Sequence, residues 1–259
     1  MKNLCLVLLL ITNFNFAYCQ IENTEEHPEF SKNINFKSVQ NDFNVEKPSL
    51  VQRLIPVALI TSGVLLSTSD FEKALQSDVR NSVGNDFYTT VDDYFRYAPI
   101  VQMYTADMLG AKAKNHWFDQ TKNMALSLAI ANITSTLLKK EVYKLRPGGG
   151  TNANSFPSGH TTTAFATATV LYEEFKGSNP LLANSGYLFA AATGTLRMLN
   201  NAHYLSDVLV GAGIGILSAK LVYQFDNLIK WNPFKKEKGF AFAPQFSEEG
   251  FGFYFTRLF

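Results

Sequence analysis

Apolar residues are concentrated in five stretches of the chain, separated by shorter polar connections. The stretches cover residues 54–67, 124–138, 161–172, 187–196 and 205–222. Several of them are apolar around much of a helical circumference, and such helices are typical of a large core or of a membrane. The pattern therefore predicts an all-α fold, a helical bundle that we place at residues 49–230.

The start of the chain departs from this pattern. Residues 1–19 place a lysine before an apolar run and end with small residues, which predicts a signal peptide and export. Both cysteines, Cys5 and Cys19, lie in this segment, so a product cleaved after Cys19 contains no thiol. The alternative is a lipidated Cys19, although the bulky Tyr18 before it disfavours that processing. Residues 20–48 are polar and predict a surface arm.

The end of the chain, residues 231–259, predicts a C-terminal extension with a β-hairpin. Phenylalanines alternate with other residues at 240–242 and again at 251–255, around a turn at 247–250. A closed outer-membrane barrel needs at least about eight strands, and this segment supplies two. We expect the hairpin to pack its phenylalanine face on the bundle.

Composition bears on the environment of the bundle. Hydrophobic residues make up 46% and charged residues 17% of the chain, which favours a membrane-embedded or membrane-apposed bundle. A spanning helix needs about 20 apolar residues, and only residues 205–222 approach that length. A soluble periplasmic bundle is therefore the alternative. The net charge of +1 gives no field that would attract nucleic acid, so we expect no nucleic-acid partner.

Three short segments place polar groups at the ends of the apolar helices. The first carries Lys139 and Arg146, seven residues apart, so both cations are expected on one helix face before Pro147 ends the helix. Lys140 and Lys144 would not share that face. A solvated basic helix end is the simpler alternative for this segment taken alone.

The second segment, Pro157-Ser158-Gly159-His160, begins an apolar helix. Pro157 and Gly159 can mark a turn and Ser158 can cap the helix, with His160 incidental. Alternatively the helix start is an anion site, because free backbone N–H groups and the positive end of the helix dipole converge there beside an imidazole that can move a proton.

The third segment carries Arg197, His203 and Asp207. His203 and Asp207 are four residues apart, so they are expected to be neighbours on one helix face, where the carboxylate fixes the tautomer of the imidazole. Asn200 and Asn201 can break the helix and let a loop bring the Arg197 guanidinium across. Alone, this pair could be purely structural, but uncompensated charges at the ends of apolar helices are costly unless they bind something.

Taken together, Lys-x6-Arg-Pro, Pro-Ser-Gly-His and Arg-x5-His-x3-Asp resemble the three-part signature of the type-2 phosphatidic acid phosphatase and vanadium haloperoxidase superfamily. The resemblance covers roughly residues 48–225 and is closest to the membrane-associated bacterial lipid phosphatases. One position departs from it, since the family commonly has serine before the third-segment arginine and this chain has Leu196. That departure concerns fine substrate preference.

The resemblance implies a phosphatase that works through a phosphohistidine and needs neither metal nor cofactor. It implies that His203 attacks phosphorus, Asp207 orients His203, and His160 protonates the leaving oxygen. It implies a phosphate cradle of Lys139, Arg146, Ser158, Gly159 and Arg197. The expected substrate is a lipid-linked phosphomonoester or pyrophosphate in the cell envelope, with the site facing the periplasm.

Three alternatives stay open on the sequence. The first is a soluble periplasmic non-specific acid phosphatase, the second a vanadium haloperoxidase in which His203 would hold vanadate, and the third a non-catalytic membrane scaffold. A further pattern, Gly211, Gly213 and Gly215, superficially resembles a dinucleotide loop. Because it lies in an apolar stretch with no strand before it, we expect close helix packing instead.

Overall fold

The computed structural model describes residues 50–149, 151, 153–226, 229, 232–233, 240–247 and 250–257. The predicted signal peptide and polar arm, residues 1–48, lie outside these ranges, so both stay predictions. The boundaries of the helical domain and of the C-terminal extension likewise stay predictions.

The described part of the chain contains eight α-helices. They are α1 (Leu50–Leu66), α2 (Asp70–Val83), α3 (Val91–Phe95), α4 (Ala98–Met108), α5 (Trp117–Glu141), α6 (Gly159–Phe175), α7 (Pro180–Leu199) and α8 (Leu205–Phe225). Each of the five predicted stretches falls in a helix, which confirms the all-α fold class. The sequence pattern missed α2, α3 and α4, which are the three shortest of these helices.

Local signals explain several helix ends. Ser69 caps α2 by accepting a hydrogen bond from Glu72 N at 3.1 Å, and α2 ends at Gly84 with φ of 85°. Asn179 caps α7, which has proline in its first turn, by accepting from Leu182 N at 3.1 Å. These are the residue types that satisfy free backbone groups at helix ends.

Helices α6 and α8 form the centre of the bundle. Helix α6 packs on α7 and α8, and α8 packs in addition on α1 and α5. The main core cluster includes Met103, Val170, Leu171, Phe175 and Tyr223, while a second cluster joins Ile60 to Val210 and Ile214. The second cluster lies near the starts of α6 and α8, which carry the second and third segments, whereas the main cluster lies toward the other ends of these two helices.

The glycines of α8 permit this close packing. A Cβ on Gly211 would lie 2.7 Å from Ser158 O, one on Gly213 2.7 Å from Pro56 O, and one on Gly215 2.8 Å from Ala166 N. Distances this short leave no room for a side chain, so α8 approaches the backbones of α1 and α6 only because these positions are glycine. The prediction of close helix packing is confirmed.

One described helix, α8, is long and apolar enough to cross a membrane, and 67% of its apolar window is buried inside the bundle. Helices α1 and α2 pass the same test only as a pair bent by 93°. A buried helix of this kind also occurs in the cores of soluble proteins, so α8 alone does not decide the environment.

The C-terminal extension contains two antiparallel strands, β1 (Phe240–Ser247) and β2 (Gly250–Arg257). Their register places Phe242 opposite Phe255 and Phe246 opposite Phe251, as expected for the predicted hairpin. The expected packing of its phenylalanine face on the bundle concerns side chains outside the described part.

Candidate active site

The first and second segments are held together by the connection between α5 and α6. Lys144 and Asn154 form a parallel bridge, and Ser155 N donates to Lys144 O at 3.0 Å. The expectation that Lys139 and Arg146 share one helix face is wrong, because α5 ends at Glu141 and Arg146 lies in the connection that follows.

The two cations nevertheless meet at Asn154. Lys139 Nζ donates to Asn154 O at 2.7 Å and to Pro157 O at 2.5 Å. Arg146 Nε donates to Asn154 Oδ1 at 3.0 Å. A loop residue therefore brings together the charges that helical spacing was expected to align.

The third segment is joined to the first by backbone contact. Gly148 N donates to Asn201 O at 2.9 Å, and a Cβ on Gly148 would lie 2.8 Å from the same oxygen. Asn201 has a φ of 54°, in the left-handed region that asparagine tolerates. As predicted, the helix breaks here: α7 ends at Leu199 and α8 begins at Leu205.

The second segment begins α6 beside the third. Ser158 occupies the N-cap position, and its backbone N–H donates to Asp207 O at 3.0 Å. Its hydroxyl pairs with Thr161 Oγ1 at 2.9 Å, and within the described chain it makes no capping hydrogen bond to a backbone N–H. The sequence-based alternative that Ser158 serves as a side-chain cap is therefore wrong. Gly159 is the first residue of α6, where backbone N–H groups have no partner within the helix.

His203 lies in the loop before α8, so the expectation that it shares a helix face with Asp207 is wrong. The two side chains still meet, with His203 Nδ1 3.6 Å from Asp207 Oδ2. Ser155 Oγ lies 3.5 Å from the same nitrogen and donates to Asp207 Oδ2 at 2.5 Å. Because Nδ1 faces these groups, Nε2 is the nitrogen of His203 that is directed away from them.

Asp207 is held by a set of donors. Its Oδ2 accepts from Tyr204 N at 2.9 Å, and its Oδ1 accepts from Lys144 Nζ at 2.9 Å. The bond from Tyr204 N places Asp207, in the first turn of α8, against the residue that precedes this helix. His203 and Asp207 are 2% and 0% exposed, so this pair is fixed within the protein.

Arg197 is anchored from the side of α3. Its Nη1 donates to Asp92 Oδ2 at 2.7 Å, and Asn200 Nδ2 donates to Asp92 Oδ1 at 3.1 Å. Among the described residues, the buried Nε of Arg197 has no hydrogen-bond partner. A buried donor without a partner is uncommon in folded proteins, and in an arginine it is suited to an oxyanion.

His160 has an acidic partner on α3, the helix that also carries Asp92. His160 Nε2 lies 2.6 Å from Asp93 Oδ1, and Arg96 Nη2 lies 3.9 Å from that oxygen. Asp92, Asp93 and His160 also offer three ligand atoms within 4.8 Å of one another. In this arrangement the two carboxylates act as hydrogen-bond partners of the basic residues: Asp92 pairs with Arg197, and Asp93 pairs with His160.

Burial and neighbouring charge set the ionisation of the basic groups. Burial, followed by the charge of Arg146, lowers the pKa of Lys139 to about 8. Burial lowers the pKa of His203 to about 4 against the opposing effect of Asp207. Burial likewise lowers the pKa of His160, while its hydrogen bond to Asp93 raises it. At neutral pH the site therefore holds a neutral imidazole beside cations.

The cations lie within electrostatic reach of one another. The pKa of Arg146 is lowered by burial and by Arg197, and that of Lys139 is lowered by Arg146 and Arg197 as well as by burial. Mutual repulsion of this kind is relieved by an anion placed among them. The arrangement can bind a multiply charged oxyanion, present a neutral imidazole to it, and exchange a proton through a second imidazole.

Sequence analysis missed six residues that support this arrangement. They are Glu72, Asp92, Asp93, Lys144, Asn154 and Ser155. Three of them come from α2 and α3, helices that the apolar pattern did not predict. Lys144 was set aside because the helix was assumed to continue past Glu141, where α5 ends. Its position two residues before Arg146 was the one sequence signal that could have indicated its role.

An apolar groove of about 470 Å³ includes Leu196, the residue that precedes Arg197 on α7. Its walls come from α7, from α3 and from the connection before α3, and they are formed by Phe87, Val91, Phe95, Ala192 and Leu196 with two threonines. Leu196, the residue that departs from the family pattern, thus lines a groove next to the cationic cluster.

Comparison with known proteins identifies a family model and a curated relative. The model of the PAP2 superfamily matches residues 120–231. The chain is 34% identical over 174 residues to a protein of Porphyromonas gingivalis named "Lipid A 1-phosphatase", across 67% of this chain and 38% of that protein. This chain thus spans about two fifths of the length of that curated relative.

Two solved structures are similar. The crystal structure of Aquifex aeolicus LpxE is 22% identical, with a TM-score of 0.42, and covers 57% of this chain and 93% of its own. A transmembrane PAP2-type phosphatidylglycerolphosphate phosphatase from Bacillus subtilis is 20% identical, with a TM-score of 0.36, and covers 72% of this chain and 90% of its own.

Proposed function

This chain belongs to the PAP2 superfamily through residues 120–231, and on that premise we propose that it is a phosphatase of the cell envelope acting on a lipid-linked phosphate. The observation that carries the proposal is the convergence of three cations and two histidines from distant segments, with the Nε of Arg197 unpartnered among described atoms. A phosphate group matches this charge and these donors.

The cradle consists of Lys139, Arg146 and Arg197 together with Ser158 and Gly159. The three cations neutralise the phosphate oxygens and the charge that develops in the transition state, which is the principal requirement of phosphoryl transfer. The backbone N–H groups at the start of α6 add donors at the positive end of that helix. We propose that this cationic set suffices without a metal ion.

The first chemical step is attack by His203 Nε2 on phosphorus. Asp207, with Ser155, faces Nδ1 and holds the proton on that side of the ring. The step starts with His160 protonated, a form that its hydrogen bond to Asp93 favours. A bond forms between Nε2 and phosphorus as the bond to the leaving oxygen breaks, and the imidazolium of His160 gives that oxygen its proton. Water then attacks phosphorus and gives a proton to His160. The bond between phosphorus and Nε2 breaks, so phosphate is released and His203 is neutral again.

The substrate is proposed to carry an apolar portion. The groove lined by Leu196, the residue before Arg197, has an apolar lining suited to hydrocarbon. The name of the Porphyromonas relative gives a phosphorylated lipid as the substrate of that protein. Both observations support a lipid-linked phosphomonoester or pyrophosphate over a small soluble ester.

Membrane association is supported by an exposed apolar stripe on α5. Ile133 and Leu137, four residues apart, are 60% and 57% exposed, and Ile130 lies one turn before Ile133 on the same face. Exposed apolar surface of this kind is typical of contact with a membrane or a partner. We propose a membrane-associated protein with its site toward the periplasm.

The test is phosphate release from phosphorylated lipids and soluble phosphoesters in the presence of chelator. The protein, His203→Ala, His160→Ala and His116→Ala are compared, the last altering an exposed histidine at the start of α5. We expect His203→Ala to be inactive, His160→Ala to lose about 10² to 10⁴-fold, and His116→Ala to match the parent protein.

Undiminished release by His203→Ala overturns the mechanism. Loss of all activity in chelator, restored by a divalent metal, overturns metal independence. Equal rates on lipids and soluble esters favour a soluble acid phosphatase over a lipid phosphatase, and extraction from cells without detergent argues against membrane association.

A further inference from the structure

Lys144 is a buried ammonium between two carboxylates. Its Nζ lies 3.1 Å from both oxygens of Glu72 and 2.9 Å from Asp207 Oδ1, and it donates to Ser206 Oγ at 2.6 Å. Lys144 is 6% exposed and Glu72 is 2% exposed. A buried ion cluster is costly unless every charge is paired, so this arrangement holds its members in fixed positions.

Glu72 fixes the far side of the cluster to the backbone. Its Oε1 accepts from Ser206 N at 3.0 Å, and its Oε2 accepts from Thr68 N at 2.8 Å. Glu72 therefore ties α2 to the start of α8 and presents a fixed negative charge to Lys144. The ammonium is in turn directed at the Asp207 oxygen that does not face His203.

The charges around His203 come from every neighbouring element. Asp207 lies on α8, Lys139 on α5 and Arg197 on α7, and the cluster adds Lys144 and Glu72 behind Asp207. With Lys144 present, the cluster of Lys144, Glu72 and Asp207 has a net charge of −1; without Lys144 it would be −2. A more negative surrounding favours the protonated imidazole, which has no lone pair for attack.

We propose that Lys144, held by Glu72, is a positioning residue for the reaction, because it fixes the Asp207 carboxylate that orients His203 and offsets the charge of that carboxylate, so that His203 stays neutral to a lower pH. Among the described residues, the Lys144 ammonium bonds to Glu72, Ser206 and Asp207 and to no residue of the phosphate cradle, so it acts through Asp207. The inference rests on the proposed function only for its kinetic consequences, since the ionisation of His203 can be measured without any substrate.

The experiment follows the imidazole protons of His203 by NMR as a function of pH, with the resonance assigned by its loss in His203→Gln. We expect the titration midpoint to rise by about one unit in Lys144→Met. In Glu72→Gln it should fall, because a negative charge is removed. In the double variant, which restores the net charge of −1, it should return toward that of the unaltered protein.

A merely structural role gives a different outcome. Loosening of the site would move both single variants in the same direction, and it would not be reversed by combining them. Should Lys144→Met fail to fold with Glu72 left unpaired, the same substitution in the Glu72→Gln background replaces the whole pair, and there too it should raise the midpoint. Midpoints that do not depend on Lys144 in either background overturn the proposal.

Kinetics supply a second readout. Lys144→Met should lower kcat about tenfold or more at neutral pH with KM little changed, and its acid limb should move to higher pH. Lys139→Met, which alters the cradle, should raise KM as well as lower kcat, and the exposed Lys140→Met serves as the matched control. If the unaltered protein releases no phosphate from any substrate, the proposed function fails while the NMR titration still decides the role of Lys144.

Discussion

Asp92 Oδ2 lies 2.7 Å from Arg197 Nη1, and this ion pair joins α3 to the end of α7 at the rim of the candidate site. Asp92 is 1% exposed. The carboxylate fixes one edge of the guanidinium and leaves its Nε, unpartnered within the described chain, for another acceptor. A short helix that the apolar pattern did not predict therefore determines how the third segment presents its cation.

Replacing that carboxylate tests the relationship. In Asp92→Asn the guanidinium loses a charge-assisted hydrogen bond, which is worth about 1.5 kcal/mol or more. We expect inorganic phosphate to bind about tenfold more weakly by calorimetry. Asp86→Asn, at an exposed position before α3, is the control and should bind phosphate like the parent protein. Equal affinity in the two variants contradicts the anchoring role.

The ionisation of Lys139 predicts how phosphate affinity depends on pH. Because burial and the charge of Arg146 lower the pKa of Lys139 to about 8, the amine is charged below that pH and becomes neutral above it. Phosphate binding to the free protein should therefore weaken as pH rises through about 8. A bound dianion favours the charged amine, so the loss of affinity begins near pH 8 and levels off only above the higher pKa that Lys139 has in the complex.

A guanidinium at this position is not neutralised in that range. Lys139→Arg should consequently abolish the loss of affinity for inorganic phosphate above about pH 8, where the phosphate itself is already a dianion. Lys140→Met, one residue further along α5, should keep the dependence of the parent protein. An unaltered alkaline loss of affinity in Lys139→Arg would assign the effect to another group.

Burial of His203 predicts an acid sensitivity of the fold. Burial lowers its pKa to about 4, whereas an unfolded chain has a histidine pKa near 6.5, so below pH 6.5 the unfolded state takes up more protons. The stabilisation is fully present above pH 6.5 and decreases as the pH falls toward about 4. Over this window the free energy of unfolding should decrease by about 3 kcal/mol from this residue.

Chemical denaturation across that pH range measures the effect. His203→Gln should show a flatter dependence than the parent protein. The pKa of His160 is also lowered by burial, so His160→Gln removes a second contribution of the same sign and separates the two. A dependence equally steep in His203→Gln and in the parent protein would be inconsistent with a neutral, buried His203.

The contact of α8 with the second segment predicts the effect of a single methyl group. A Cβ on Gly211 would lie 2.7 Å from Ser158 O, so Gly211→Ala must push α8 away from the start of α6. We expect a loss of about 1–3 kcal/mol in the free energy of unfolding. Activity should fall as well, because Ser158 belongs to the proposed cradle.

Gly177→Ala is the matched control for this substitution. A Cβ on Gly177 would meet no described atom within 4 Å, so thermal denaturation and activity should match those of the parent protein. Similar losses in the two variants would attribute the effect to backbone freedom of glycine and not to the contact with Ser158.

Leu196 predicts a difference between substrates. Because this side chain lines the apolar groove beside Arg197, Leu196→Ser should weaken the binding of a lipid substrate more than that of a soluble phosphoester. Loss of the buried apolar area is worth roughly 1–2 kcal/mol, or about tenfold in kcat/KM for the lipid. Leu188→Ser, at an exposed position on the same helix, is the control.

The sequence predicted those features of the site that depend on residues close together in the chain. His160, with Ser158 and Gly159, begins a helix as expected, and Asn200 and Asn201 break the chain between Arg197 and His203 as expected. Apolar stretches identified the large helices because their burial is extensive, so their pattern persists along many residues. The three segments were correctly expected at helix ends.

The contacts that support these segments could not be predicted in the same way. Glu72, Asp92 and Asp93 lie on shorter helices, far from the motifs in sequence, and only the tertiary fold makes them neighbours. For Arg146 and His203 the assumed helical geometry was wrong, since α5 ends and α8 begins between the residues concerned. Periodicity describes a helix but does not locate its ends to within a turn.

The three segments are joined by peptide groups: Ser155 N to Lys144 O, Ser158 N to Asp207 O, and Gly148 N to Asn201 O. Main-chain donors and acceptors are supplied by almost every residue type, so this framework survives changes of side chain that would dissolve a framework of specific polar pairs. Extra residues inserted elsewhere, as in the turn at 176–179, leave these joints untouched. A protein assembled in this way can lengthen its outer connections and acquire new specificities while its chemistry stays in place.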